Sequence, residues 1–199
     1  MTCHPRALMT SDHKLLLSLL AELSFRRGQF VLSSGATSPF YVDARKTTMS
    51  PQGLVLIGQL GLKLIQKEFQ FADAIGGLTL GADPVSYAIA YTSATTTRPL
   101  RAFTVRKEPK AHGTRQQIEG PFKPGDRCVI IEDVITSGSS ALNAIAAVRS
   151  AGGIVEGVLA VLDRQEYGSR AIASSAGVPV HCLTLLDELT GMIPANATS

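Results

Sequence analysis

The sequence predicts an α/β fold: a mostly parallel, doubly wound sheet flanked by helices, with a small N-terminal hood. Three observations predict it. Short apolar runs at residues 74–78, 100–105, 128–131, 154–162 and 180–186 alternate with longer stretches whose apolar residues recur at helical spacing, the pattern of βαβ units. Two of these runs, 74–78 and 128–131, are apolar throughout, as strands covered on both faces must be. Glycine, proline and hydroxyl-bearing residues punctuate the junctions, where turns and helix caps need them.

From the N-terminus, Asp12 is placed to cap a helix carrying Leu15, Leu16, Leu19, Leu20 and Leu23 and ending near Arg26-Arg27-Gly28. Residues 29–32 and 40–42 read as extended pieces, and the polar link between them suggests a hairpin or β-rich cover. Met49-Ser50-Pro51 starts a second helix, with Ser50 as cap and proline at its first position. Its apolar positions continue to about Lys67. The strand at 74–78 leads through Thr79-Leu80-Gly81-Ala82 to Asp83-Pro84, which open a helix to about Tyr91. After the strand at 100–105, residues 106–124 are charged and turn-rich with little periodicity. So long an irregular segment inside a domain points to function. The strand at 128–131 precedes a helix ending at Gly152-Gly153. A strand at 154–162, a short helix at 169–175 and a strand at 180–186 complete the sheet, and the tail after Met192 is expected to fray.

The 199 residues suit one domain, large enough for a real core. Hydrophobic residues make up 45% and charged residues 18%, which argues against disorder. The net charge of +3 is too mild to indicate a nucleic-acid partner. The apolar runs fall well short of the ~20 residues of a membrane span, and residues 1–6 lack the apolar core of a signal peptide, so a cytoplasmic protein without membrane contact is expected. Cys3, Cys128 and Cys182 are odd in number and not spaced for zinc. Cys128 and Cys182 read as free thiols acting as small hydrophobes, and no disulfide framework follows.

The most informative stretch surrounds Glu132, Asp133, Val134, Ile135, Thr136, Ser137, Gly138, Ser139 and Ser140. An apolar strand delivers two adjacent carboxylates, then a hydroxyl-rich turn, then a helix carrying Leu142, Ile145 and Val148. Unpaired N–H groups at a helix start attract phosphate, and the hydroxyls of Thr136, Ser137, Ser139 and Ser140 add donors. Glu132 and Asp133 would repel that phosphate and suit hydroxyls or a divalent cation instead. A ribose 5-phosphate satisfies both halves.

The string from Glu132 to Ser140 resembles the phosphoribosyl-pyrophosphate motif of type I phosphoribosyltransferases. Three further strings narrow the resemblance to orotate phosphoribosyltransferases. Arg106-Lys107-Glu108-Pro109-Lys110-Ala111-His112-Gly113 resembles their mobile catalytic loop, here over about 106–121. Its cations would stabilise the charge that develops on a departing pyrophosphate. Asp163-Arg164-Gln165-Glu166 resembles the segment whose arginine contacts orotate, a planar guanidinium being suited to grip a carboxylate or imide edge. The string from Ser34-Gly35 through Tyr41-Val42-Asp43-Ala44-Arg45 resembles the N-terminal signature that roofs the base, so the hood is expected over about residues 1–45, with Ser34, Gly35, Tyr41 and Arg45 as candidates to line it.

By this resemblance the activity is transfer of the 5-phosphoribosyl group to orotate, giving orotidine 5′-monophosphate and pyrophosphate in pyrimidine synthesis. The implied catalytic residues are Lys110, Lys107, Arg106, His112 and Asp133. The implied phosphoribosyl site is Glu132 to Ser140, with Arg164 and Thr136 placing orotate. Mg2+ is implied, held mainly by the substrate, so no residue is assigned as a metal ligand. A homodimer whose catalytic loop completes the neighbouring site is also implied. A phosphoribosyltransferase for another base would keep Glu132 to Ser140 but would not need the loop string or Arg164. A regulator sensing the activated sugar should carry an added DNA-binding module or a basic face and could dispense with the loop. Two departures stand out: Ser33 and the Thr79-Leu80-Gly81-Ala82 turn lack lysines that family members carry there. Backbone N–H groups of Gly81 and Ala82 are therefore expected to hold pyrophosphate, as in a nest.

Overall fold

The computed structural model describes residues 10–31, 37–108 and 117–192. Six strands form one sheet in the order β5 (Ile118–Glu119), β4 (Arg101–Val105), β3 (Ala74–Leu78), β6 (Arg127–Ile135), β7 (Ile154–Asp163) and β8 (Val180–Leu185). All neighbours are parallel except the β4–β5 edge pair. The chain steps from β3 outward to β4, then crosses back to β6 and proceeds the other way. That reversal opens a crevice between the carboxyl ends of β3 and β6, the place where such sheets bind ligands.

Helices cover both faces. On one side, α1 (Ser11–Leu19), α3 (Pro51–Glu68), α4 (Ala82–Ser93) and α7 (Leu186–Met192) bury Leu16, Ile57, Val85, Ile89 and Leu189 against Val129 and Ile131. On the other, α5 (Ser139–Ser150) and α6 (Gly168–Ala176) pack Ala144, Ile145, Val148 and Ile172 against Cys128 and Ile130. Successive β6 residues thus serve opposite layers, which explains a run that is apolar throughout. Ser50 and Pro51 begin α3 as expected: Ser50 Oγ accepts the Gly53 N–H at 3.0 Å and proline occupies the first turn.

The first helix differs from expectation at both ends. Thr10, not Asp12, is its cap, with Thr10 Oγ1 accepting the His13 N–H at 3.3 Å. A π turn, Leu20–Ser24, ends it before the arginines. Phe25 is already extended, because its buried ring stacks on Phe40 at 5.8 Å and its backbone pairs with Val42. Arg26 and Arg27 therefore lie in β1 (Phe25–Val31), which with β2 (Thr37–Val42) forms an antiparallel hairpin. The short helices α2 (Arg45–Thr48) and α7 and the two-residue β5 were not anticipated; β5 exists only by pairing with β4. Cys128 is a buried free thiol, whereas Cys182 is disulfide-bonded, which corrects the expectation of a free thiol there. Among the described residues no helix is long and apolar enough to cross a membrane.

Candidate active site

Pairing with β7 carries β6 four residues beyond its apolar run, to Ile135 opposite Asp163. Glu132 and Asp133 therefore stand on the strand itself. The chain then turns through Thr136 and Ser137 to Gly138, which adopts φ +81° and ψ 0° and begins α5. That left-handed conformation favours glycine. Space demands it too, since a Cβ here would lie 2.8 Å from both the Gly168 carbonyl oxygen and Ile172 Cγ1. The Gly138 carbonyl accepts the Leu142 N–H at 3.0 Å, closing the first helical turn. Ser137 Oγ lies 3.0 Å from Ser139 Oγ and accepts the Ser139 N–H at 3.4 Å. Hydroxyls and helix-start N–H groups thus gather at one end of α5, with Thr136 and Ser139 exposed. This is an anion-binding arrangement.

The carboxylates beside it behave differently. Glu132 is only 7% exposed, and burial, reinforced by the neighbouring Asp133 charge, pushes its carboxyl up to about 8. Burial also raises Asp133, but Val134 N–H donates to Asp133 Oδ1 at 2.8 Å and favours its charged form. Hydrogen bonding between the two side chains raises Glu132 and lowers Asp133. The pair therefore favours a neutral Glu132 beside an ionised Asp133.

Across the crevice, Gly81 ends the turn after β3. A Cβ there would fall 2.6 Å from Asp133 Oδ1 and 2.7 Å from Asp133 Cγ, so this glycine is what lets the turn approach the carboxylate. The Thr79–Leu80 peptide in the same turn is cis. Arg45, after the hairpin, grips Asp43 Oδ1 through Nε at 2.8 Å. Its charge also acts on Asp133, helping the latter to stay ionised.

Arg164 follows β7, with only 8% of its surface exposed. Its Nε lies 3.1 Å from Glu166 Oε1, an ion pair whose angle is too poor for a hydrogen bond, so this buried donor has no hydrogen-bond partner among the described residues. Asp163 shapes the segment by accepting from Gln165 N–H at 2.8 Å and Ser169 Oγ at 2.6 Å. The guanidinium carbon sits 5.8 Å from the centre of the Phe40 ring, a cation–π contact that brings the hairpin to this side of the site. Sequence reasoning gave Phe40 no role. Its position one residue before Tyr41 in the hood string was the available signal.

The remaining residues divide. Arg106 and Lys107 are exposed just past the carboxyl end of β4, where Arg106 faces Glu119 at 3.5 Å. Tyr41 is exposed on the hairpin. Ser33, Ser34, Gly35, Lys110 and His112 lie outside the described residues. Thus Glu132 to Ser140, Gly81, Arg45 and Arg164 are held by the elements around the carboxyl end of the sheet.

No family model matches the chain. It is 51% identical over 160 residues to the orotate phosphoribosyltransferase of Aquifex aeolicus, an alignment covering 80% of this chain and 86% of that one. To the orotate phosphoribosyltransferase of Rhodopirellula baltica it is 41% identical over 177 residues, 87% of this chain and 91% of the other. The crystal structure of Mycobacterium tuberculosis orotate phosphoribosyltransferase in complex with 5-phospho-α-D-ribosyl 1-diphosphate superposes with a TM-score of 0.75 at 37% identity, over 90% of this chain and 99% of that one. Relatives so similar over nearly their whole length leave one conclusion: the chain belongs to the orotate phosphoribosyltransferase family.

Proposed function

We infer that the chain transfers the 5-phosphoribosyl group of phosphoribosyl pyrophosphate to orotate, yielding orotidine 5′-monophosphate and pyrophosphate for pyrimidine synthesis. One observation carries this reading beyond the likeness. An anion-binding helix start stands beside the buried Glu132 and half-buried Asp133, and nearby the buried Arg164 guanidinium donor lacks a hydrogen-bond partner among the described residues. Phosphate, vicinal hydroxyls and a carboxylate-bearing base answer those features in turn.

In this reading Thr136, Ser137, Gly138, Ser139 and Ser140 hold the 5′-phosphate, while Glu132 and Asp133 engage the ribose hydroxyls. Arg164 and Thr136 orient orotate, under a roof from the hood. As the bond from C1 to pyrophosphate lengthens, Arg106, Lys107, Lys110 and His112 neutralise the leaving group, and the N–H groups of Gly81 and Ala82 hold it from the β3 side. Such interactions strengthen as charge develops, so they lower the barrier rather than only tightening binding.

Mg2+ fits this site as a companion of the substrate. Among the described residues no group of three His, Cys, Asp or Glu side chains could cage a metal, and Mg2+ prefers one or two carboxylates together with substrate phosphates. Asp133, the ionised member of the pair, would meet such an ion, with Glu132 beside it. Bound there, it would help neutralise pyrophosphate.

The reading treats the chain as one catalytic domain in the cytoplasm, acting as a homodimer whose loop completes the neighbouring site. Orotate-dependent pyrophosphate release, measured with and without Mg2+, is the direct test. Release with another base but not with orotate would refute the substrate assignment.

A further inference from the structure

The turn between β3 and α4 has no lysine with which to meet pyrophosphate, so the placement of its backbone matters. That turn is tied to β4 in two ways. Thr79 N–H donates to the Val105 carbonyl at 2.8 Å. Thr79 Oγ1 donates to Asp83 Oδ2 at 2.7 Å, and Asp83 Oδ1 accepts from Thr104 Oγ1 on β4 at 2.8 Å. Thr104 has spent its only hydroxyl proton on that bond. The Tyr87 hydroxyl, 2.8 Å from Thr104 Oγ1, must therefore be the donor in the next link. Asp83 is 9% exposed and both its oxygens are bonded. Two arms of donors thus converge on the Asp83 carboxylate, Tyr87 through Thr104 from α4 and β4 on one oxygen and Thr79 from the turn on the other.

We propose that Asp83 is a positioning residue: its carboxylate clamps the Thr79-Leu80-Gly81-Ala82 turn to the end of β4, presenting the turn's backbone to pyrophosphate beside Asp133. The clamp explains how a turn without a lysine can serve as half of a pyrophosphate site. The next residues of β4's path, Arg106 and Lys107, begin the cationic loop, so one carboxylate sets the spacing between the two halves. Helix start alone would not select this geometry. A hydrogen-bonded carboxylate with two fixed donors does, because acceptance at both oxygens defines its plane.

The proposal rests on the phosphoribosyl-transfer reading, and its test separates the two. Asp83→Asn keeps the shape but forces one threonine to face an amide N–H instead of a carboxylate oxygen. Thr79→Val removes one donor and leaves the carboxylate in place. For each variant that melts like the parent, the inhibition constants of inorganic pyrophosphate and of ribose 5-phosphate are measured, with KM for both substrates. Pyrophosphate inhibition and KM for phosphoribosyl pyrophosphate should weaken about tenfold, the scale of one lost charge-assisted hydrogen bond. Ribose 5-phosphate inhibition and KM for orotate should stay within about twofold of the parent on the same scale. Unchanged pyrophosphate inhibition in both variants would overturn the clamp. So would equal weakening of ribose 5-phosphate, which would signal general loosening. Failure of the parent itself to release pyrophosphate with orotate would instead overturn the underlying function.

Discussion

Replacing Gly138 by alanine tests the phosphate-binding turn most directly. Two penalties add at this position. An L-residue at φ +81° incurs about 1–2 kcal/mol from the contact of Cβ with its own backbone. The new methyl would also sit 2.8 Å from the Gly168 carbonyl oxygen, a backbone atom, and 2.8 Å from Ile172 Cγ1. Overpacking of that kind costs about 1–3 kcal/mol. Together about 2–5 kcal/mol of stability should be lost, a drop of roughly 5–15 °C in Tm for a domain of this size. The turn relaxes by moving away from Gly168, which misaligns the N–H groups of Ser139 and Ser140. Losing one or two charge-assisted bonds to phosphate should raise KM for phosphoribosyl pyrophosphate by about ten- to a hundredfold. Gly177→Ala is the matched control. Gly177 has φ +69° with nothing within 4 Å of a built Cβ, so only the backbone term applies and substrate KM should not move. Thermal melts and initial rates on both variants suffice. A Gly138→Ala protein that melts within about 2 °C of the parent with unchanged KM would refute the steric and functional argument together.

The titration of Glu132 predicts a pH-dependent stability. Its folded value of about 8 exceeds the ordinary 4.5, so the folded chain holds a proton the unfolded chain has released. The contribution is fully present below 4.5 and fades as pH rises through 8, with a slope approaching about 1.4 kcal/mol per pH unit within that window. Glu132→Gln should flatten the profile in urea melts, and parallel profiles for the two proteins would count against it. Arg164→Lys keeps the charge but loses the planar fork, so KM for orotate should rise about ten- to a hundredfold, with less effect on the phosphoribosyl substrate; an unchanged orotate KM would remove Arg164 from the base site. Lys110→Ala should lower kcat by about two to three orders of magnitude, and near-normal turnover would end the loop assignment. Mixing that variant with Ser139→Asp should restore activity through hybrid dimers, whereas no rescue after subunit exchange would argue against a shared site.

The family was legible because its strongest signals are local. Glu132 to Ser140 combine strand, acid pair and hydroxyl-rich turn within one short string, whose residue types suggest a sugar phosphate and whose resemblance to a known motif implies the rest. Ser50 and Pro51 declare a helix start for the same reason, since a cap bonds within its own first turn. The strands at 74–78 and 128–131 announced themselves because burial on two faces leaves no polar residue between apolar ones.

Other features depend on partners far along the chain. The first helix stops at Ser24 because Phe25 is drawn into pairing and stacking with β2, a tertiary demand that overrides helical periodicity. The extension of β6 through Asp133 depends on β7, and without it the carboxyl pair would stand on a solvated turn with ordinary acidity. Gly81 meets Asp133, and Phe40 meets Arg164, only when the sheet and hairpin are assembled. Sequence by itself determined which chemistry the chain carries, because residue types and short spacings specify donors, acceptors and charge. Tertiary structure alone decided how acidic Glu132 is, which turn can approach Asp133 and what surrounds Arg164, because desolvation and close contact arise from groups the linear order keeps apart.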